Sequence, residues 1–219
     1  MGRRGKIERF ADNALRDNVI EMGKESFGNL AGKWKSEHFG NHNDIVVELG
    51  CGRGEYTIGL GRCFQDRNFI GVDIKGARIW VGSGQAIDES LCNVAFLRTQ
   101  IELLDRHFTE KEIDEIWITF PDPRPKLRDE KKRLTSPDFL KSYRKLLKKD
   151  GWIKFKTDSS SLFDYTLELL PKFGVKNLTY THDLYVSEMM NEHFGVKTKF
   201  EQKFFEKGES IKYLKFQFA

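Results

Sequence analysis

Along the chain, short apolar and β-branched runs alternate with longer stretches whose apolar positions recur three and four residues apart. The runs at residues 45–49, 68–72, 94–97, 115–120 and 152–156 have the length and composition of buried strands. Between the last two, Phe139, Leu140, Tyr143, Leu146 and Leu147 fall on one helical face, with Ser136 at the N-cap, Pro137 at the first helical position and Gly151 in the turn to the next strand. Regular alternation of strand and helix predicts an α/β, Rossmann-like fold: a mostly parallel, doubly wound sheet whose ligand site lies beyond the carboxyl ends of its strands. From Thr198 the rhythm breaks. A short helical pattern and Gly208 lead into the alternating run Ile211-Lys-Tyr-Leu-Lys-Phe-Gln-Phe, which predicts an edge strand.

Composition changes this picture only at the edges. A chain of 219 residues with 39% hydrophobic residues can bury one sizeable core. Residues 41–219 are read as that domain. Residues 1–40, mixed, polar and rich in Gly and Lys, are read as a basic, flexible arm that orders on binding. With 37 Lys and Arg against 33 Asp and Glu, the net charge is only +4, so attraction to a polyanion must come from local clusters. Cys51, Cys63 and Cys92 have no C-x-x-C spacing, which argues against a disulfide framework or a zinc site and for the cytoplasm. The five histidines show no metal-ligand spacing, and no metal is expected. No stretch has the ~18 apolar residues of a membrane span or the apolar core of a signal peptide, so a soluble protein is expected.

The first candidate chemistry follows the first strand. In Glu48-Leu-Gly-Cys-Gly-Arg-Gly-Glu-Tyr-Thr, Gly50, Gly52 and Gly54 allow a tight turn and close approach of backbone to a ligand. A dinucleotide fingerprint would place its third glycine where Glu55 stands, and Glu48 would repel a pyrophosphate, so a cationic ligand suits the loop better. Asp73, at the end of the second strand, is placed to accept both hydroxyls of an adenosine ribose. Loop and acid together resemble the cofactor half of the class I methyltransferases, whose ligand is S-adenosylmethionine. Cys51 is read simply as a small residue in the loop.

After the fourth strand the chain reads Thr119-Phe-Pro-Asp-Pro-Arg-Pro-Lys-Leu-Arg-Asp-Glu-Lys-Lys-Arg-Leu. Pro121-Asp122-Pro123 with Lys126, Arg128, Lys131, Lys132 and Arg133 resembles the bacterial tRNA (guanine-N7)-methyltransferase family (TrmB). Phe155-Lys-Thr-Asp158 and Thr198-Lys-Phe-Glu201 resemble two further blocks of that family, in the same order, so the resemblance spans roughly residues 40–219. It implies the class I fold with an antiparallel C-terminal strand, and S-adenosylmethionine at Glu48, Gly50, Gly52, Asp73, Gln100 and Asp122. It further implies Asp122 as catalytic residue, substrate contacts at Lys126, Arg128, Lys131, Arg133, Asp158, Thr198, Lys199, Phe200 and Glu201, and a guanine in the tRNA variable loop as target. A monomer or a homodimer fits equally. Three positions depart from the family pattern: Arg124 stands where Trp is usual, Asp129 where His is frequent, and Gln100 where an Asp commonly lies beside the adenine.

Plainer readings stand beside these. Thr198 and Glu201 form a capping box, which could account for both residues. Lys75, Arg78, Arg3, Arg4, Lys6 and Arg9 either extend a basic surface or are solvated charge. A methyltransferase acting on an exocyclic amine also places an acid and prolines after the fourth strand, but it usually needs an aromatic residue two positions after the Asp, where this chain has Arg124. A non-catalytic RNA-binding module on the same fold is the alternative from outside enzymes, and intact Glu48, Asp73 and Asp122 count against it.

Overall fold

The computed structural model describes residues 5–219, and these fall into two compact units that divide after Thr109. In the first, β1 (Val19–Ile20), β4 (Val94–Leu97), β3 (Arg67–Val72) and β2 (Asp44–Leu49) lie side by side in that order, every pairing parallel. Their middle residues are apolar and buried, among them Ile45, Val47, Ile70, Val72, Ala95 and Phe96, as expected of parallel strands covered on both faces. Helices α2 (Glu55–Cys63) and α3 (Gly76–Asp88) follow β2 and β3.

Where the sequence reads as a polar arm, the structure is folded, and the reason for the difference is the kind of contact used. Helix α1 (Lys6–Leu15) buries a single residue, Asn13, whose side-chain amide donates to the Gly76 carbonyl at 2.9 Å. Further attachments to α3 are polar or cation–π: Trp80 donates to Asp12 at 2.7 Å, Arg16 donates to Ser83 at 2.8 Å, and the Arg9 guanidinium lies 4.9 Å from the Trp80 ring centre, while the Phe10 ring lies against Gly76. The periodic apolar residues Ile7, Ala11, Ala14 and Leu15 are exposed, so the helix docks by a face other than its apolar one. Trp34, 0% exposed, stacks on Phe108 at 5.4 Å and donates to the His107 carbonyl at 2.7 Å. Arg3 and Arg4 lie outside the described residues.

The second unit holds β5 (Ile113–Thr119), β6 (Leu147–Thr157), β8 (Lys212–Phe218) and β7 (Val175–Thr181) in that order. The β5–β6 pairing is parallel; β6–β8 and β8–β7 are antiparallel. Helices α4 (Pro137–Leu146) and α5 (Ser160–Leu169) flank β6 in sequence, and the predicted α4 face is buried. Ser136 holds the N-cap position but not the cap bond: its hydroxyl donates to the Lys131 carbonyl at 3.2 Å. The run expected to be an edge strand, β8, is interior. Tyr213, Leu214 and Phe216 are buried along it, and the edge falls to β7, a strand of mostly half-exposed polar residues with a register shift between Lys176 and Thr179. A bulged polar edge of this kind resists pairing with a stray strand.

Alternation along β5, β6 and β8 gives the second unit two unlike faces. Ile116, Ile118, Ile153, Phe155, Leu214 and Phe216 share one of them and are all buried. The other carries Glu115, Trp117, Lys154, Lys156, Tyr213 and Lys215, with Trp117 opposite Lys154 and Lys156 opposite Tyr213. That charged face is met by the segment after β7: Glu192 pairs with Lys215 and lies 3.9 Å from Lys154, which also sits 3.3 Å from Glu115.

Candidate functional site

In the first unit the predicted residues gather at the carboxyl ends of β2, β3 and β4. Gly50, Gly52 and Gly54 take φ of 73°, 58° and 71°, the left-handed region that only glycine enters freely. At Gly54 a side chain is doubly barred, since a Cβ would come within 2.4 Å of the Phe96 ring. At Gly52 a Cβ would meet nothing within 4 Å, so there the bare backbone borders open space. Asp73 is buried and holds this loop: one carboxylate oxygen accepts from Gly52 N at 2.9 Å and the other from Lys75 N at 2.8 Å. Each oxygen keeps a lone pair for a hydroxyl.

Glu48 is buried as well, and one of its oxygens accepts from both the backbone N–H (2.8 Å) and the hydroxyl of Thr57. Because Gly54, the N-cap of α2, has no side chain, Glu48 caps the helix from the neighbouring strand and sets a negative charge against the positive end of its dipole. Cys51 is buried between Glu48 and Asp73, and burial followed by those two charges pushes its thiol pKa up, which makes it inert. Gln100, exposed, begins the turn after β4, where its carbonyl accepts from Leu103 N at 3.0 Å. Acceptors and glycine backbone predominate in this cluster, as a cationic, hydroxyl-bearing ligand requires.

In the second unit, β5 ends at a strained turn. Phe120 (φ 48°) and Arg124 (φ 46°) both occupy the left-handed region, at about 1–3 kcal/mol apiece for residues with a Cβ. Asp122, between them, keeps its side chain 60% exposed. Its carboxylate accepts from Arg124 N at 3.2 Å and lies 3.2 Å from the Arg124 guanidinium. The residue that departs from the family pattern thus orients the carboxylate from both backbone and side chain.

Lys126, Arg128 and Lys131 are exposed along the next turn, Leu127–Lys132, and Lys132 pairs with Asp129 at 2.7 Å. Arg133 differs from its neighbours. It is only 9% exposed, donates to the Arg124 carbonyl at 3.2 Å and stacks on Tyr165 at 4.3 Å, while the Tyr165 hydroxyl donates to Glu130 at 2.9 Å. Burial and that bond raise the Tyr165 pKa to about 12. Sequence reading places Arg133 on RNA; its geometry braces the Asp122 turn.

Asp158, half-buried, follows β6, and its carbonyl accepts from Lys212 Nζ at 3.0 Å. Helix α6 (Lys199–Phe205) opens with the expected capping box: Thr198 Oγ1 accepts from Glu201 N at 3.0 Å, and Glu201 Oε2 accepts from Thr198 N at 3.4 Å. Lys199 and Phe200 are exposed. Glu201 is 0% exposed, and its other oxygen takes the Tyr185 hydroxyl at 2.5 Å and the Lys156 ammonium at 2.6 Å. A side chain so enclosed has no surface to offer RNA, which again differs from the expectation. Lys156 and Tyr185, unmarked by sequence reading, belong to this assembly. Among the described residues, no group of three His, Cys, Asp or Glu could hold a metal ion, and no helix is long and apolar enough to cross a membrane.

A family described as "Putative methyltransferase" matches residues 42–214. The tRNA (guanine-N(7)-)-methyltransferase of Bacteroides fragilis (strain YCH46) is 48% identical over 217 residues, 97% of this chain and 85% of the relative. That of Porphyromonas gingivalis (strain ATCC BAA-308 / W83) is 50% identical over 199 residues, 90% of this chain and 80% of the relative. That of Lactococcus lactis subsp. cremoris (strain MG1363) is 35% identical over 216 residues, 99% of this chain and 96% of the relative. Among solved structures, the 16S rRNA methyltransferase KamB is similar with a TM-score of 0.64 at 12% identity, over 92% of this chain and 99% of its own. An antibiotic-related methyltransferase reaches 0.62 at 20% identity, over 84% and 92%. At such identities the likeness is one of fold, the class I methyltransferase fold.

Proposed function

The chain belongs to the tRNA (guanine-N7)-methyltransferase family, enzymes that methylate N7 of a guanine in tRNA, and from that premise we propose how its residues divide the work. The first unit's Glu48, Gly50, Gly52, Asp73 and Gln100 hold S-adenosylmethionine, whose sulfonium carries the reactive methyl group. Open space at Gly52 and the remaining lone pairs of Asp73 support this assignment. Gln100 supplies an amide in place of a carboxylate. Asp122 is the catalytic residue. Lys126, Arg128, Lys131, Asp158, Thr198, Lys199 and Phe200 bind tRNA. Arg133 and Glu201 brace those segments from inside. The target guanine lies in the variable loop, and the reaction takes place in the cytoplasm.

Guanine N7 carries an exposed lone pair and no proton, so no residue need act as a base. What the chain must supply is alignment and a negative field for the positive charge that arrives on the purine. Asp122 and Asp158 suit that task, and either can accept from the N1 and N2 edge of guanine, which adenine cannot satisfy. One observation carries this reading: Asp122, an exposed carboxylate, stands at the carboxyl end of a parallel strand between two residues held in the left-handed region. Incubation with labelled S-adenosylmethionine and unmodified tRNA, followed by digestion to nucleosides, is expected to yield label in 7-methylguanosine. Label in an N-methylated exocyclic amine would instead establish the amino-methyltransferase.

A further inference from the structure

We propose that Lys156 is a positioning residue that fixes two segments at once: the turn carrying Asp122 and the start of helix α6. What those segments do rests on the function proposed above; the contacts do not. Lys156 is 0% exposed near the end of β6, on the charged face of the sheet. Its carbonyl accepts from Phe120 N at 2.9 Å, and its ammonium lies 5.9 Å from the centre of the Phe120 ring. Phe120 is the strained residue that opens the Asp122 turn. The same ammonium stands 2.6 Å from Glu201 Oε1, with the Tyr185 hydroxyl on that oxygen at 2.5 Å. Through its second oxygen Glu201 holds Thr198 N, so one carboxylate ties the helix start to the lysine. The rings of Phe120 and Phe200, 5.6 Å apart, close the circuit between turn and helix.

Energetics favour a geometric role. A fully desolvated ion pair commonly stabilises no more than a well-packed apolar pair of the same volume, and its best-attested use is to fix one arrangement among several. Here the pair stands where the two segments that carry Asp122 and Thr198–Glu201 meet. An apolar residue at 156 would fill space without specifying where Glu201 must sit. Glu201 then acts on RNA through the placement of Thr198, Lys199 and Phe200, and Lys156 acts on catalysis through Phe120 and Asp122.

The test uses Lys156→Met, Lys156→Met with Glu201→Gln, and Tyr185→Phe in the full chain. Hydrogen exchange needs no RNA: in Lys156→Met, peptides covering residues 119–124 and 198–205 should both lose protection, while calorimetry gives an affinity for S-adenosylmethionine that is mostly retained. In single turnover the methyl-transfer rate should fall by about 10²-fold, the scale of a misplacement of roughly an ångström, and KM for tRNA should rise. Adding Glu201→Gln removes the unpaired buried charge, so Tm should recover while the rate stays low. A rate that recovers together with Tm would reduce Lys156 to a stabilising role and overturn the proposal, as would loss of protection in only one of the two segments. Tyr185→Phe keeps the ion pair and tests the helix arm even where the lysine variant does not fold: 198–205 should loosen and KM rise with kcat unchanged, and an unaltered KM overturns that arm. Absence of 7-methylguanosine with the unaltered protein would refute the proposed function instead, and the exchange data would still decide the role of Lys156.

Discussion

The glycine loop of the first unit and the proline-bounded turn of the second are both strand-to-loop junctions, yet they are held in opposite ways. Residues 50–54 are fixed by the backbone: three left-handed glycines, with Gly52 and Lys75 N–H groups bonded to Asp73. Residues 120–124 are fixed by side chains: Arg124 on Asp122, Arg133 on the Arg124 carbonyl, and Lys156 under Phe120. A loop of left-handed glycines admits almost no substitution and suits a ligand that never changes. A side-chain-held turn can be edited one residue at a time. Two of the three departures from the family pattern, Arg124 and Asp129, indeed lie in or just after that turn.

The contrast breaks most visibly at Asp122. Asp122→Asn keeps the shape but removes the charge, so kcat should drop by about 10²–10³-fold, the effect of losing one well-placed electrostatic stabiliser, with much of the cofactor affinity retained. Single-turnover rates and calorimetry on the same preparation read both quantities, and an unchanged kcat would remove Asp122 from the catalytic role. Asp73→Ala strikes the other junction. It should weaken S-adenosylmethionine by about 1–3 kcal/mol and leave KM for tRNA nearly unaltered. Equal affinity for the cofactor would mean that Asp73 serves only to brace Gly52.

Within the basic stretch, exposure predicts a split. Lys131→Ala with Lys132→Ala should raise KM for tRNA and reduce its salt slope by about one for each phosphate no longer neutralised. Arg133→Ala should lower Tm and kcat but leave the slope intact, because its guanidinium faces Tyr165 and the Arg124 carbonyl. A shallower slope in the Arg133 variant would return that residue to the RNA. The smallest expected effect is on pH stability. His38, His107 and His193 are all held below the usual value of 6.5, chiefly by burial. Below 6.5 the unfolded chain therefore takes up protons that the folded chain does not, and stability should fall as pH drops through that value. A Tm that stays level there would show those imidazoles to be better solvated than their surroundings suggest.

Much of the fold was legible because parallel strands are buried on both faces and read as unbroken apolar runs. Both junctions announced themselves by glycine and proline. The docked α1 was not legible, since Asn13, Arg16 and Trp80 attach it by a face other than its apolar one. Lys156 was hidden for a subtler reason. In Trp152-Ile-Lys-Phe-Lys the alternation correctly assigns Ile153 and Phe155 to one face and Lys154 and Lys156 to the other, but charged residues on one face of a strand ordinarily face water. Only the covering segment with Glu192 and Glu201, distant in sequence, turns that face inward. The burial of Arg133 was illegible for the same reason, because Tyr165 lies thirty-odd residues away.

The strand order of the second unit also sets a timetable. β7 leaves the ribosome about thirty residues ahead of β8, yet β8 is the strand through which it joins the sheet. At about 5–20 residues per second, β7 waits some seconds with both edges unpaired. Its Lys176, Asn177 and two threonines are what a nascent strand needs to wait safely, soluble and unattractive to other strands. The more apolar sequence falls to β8, which pairs with β6 on one side and β7 on the other.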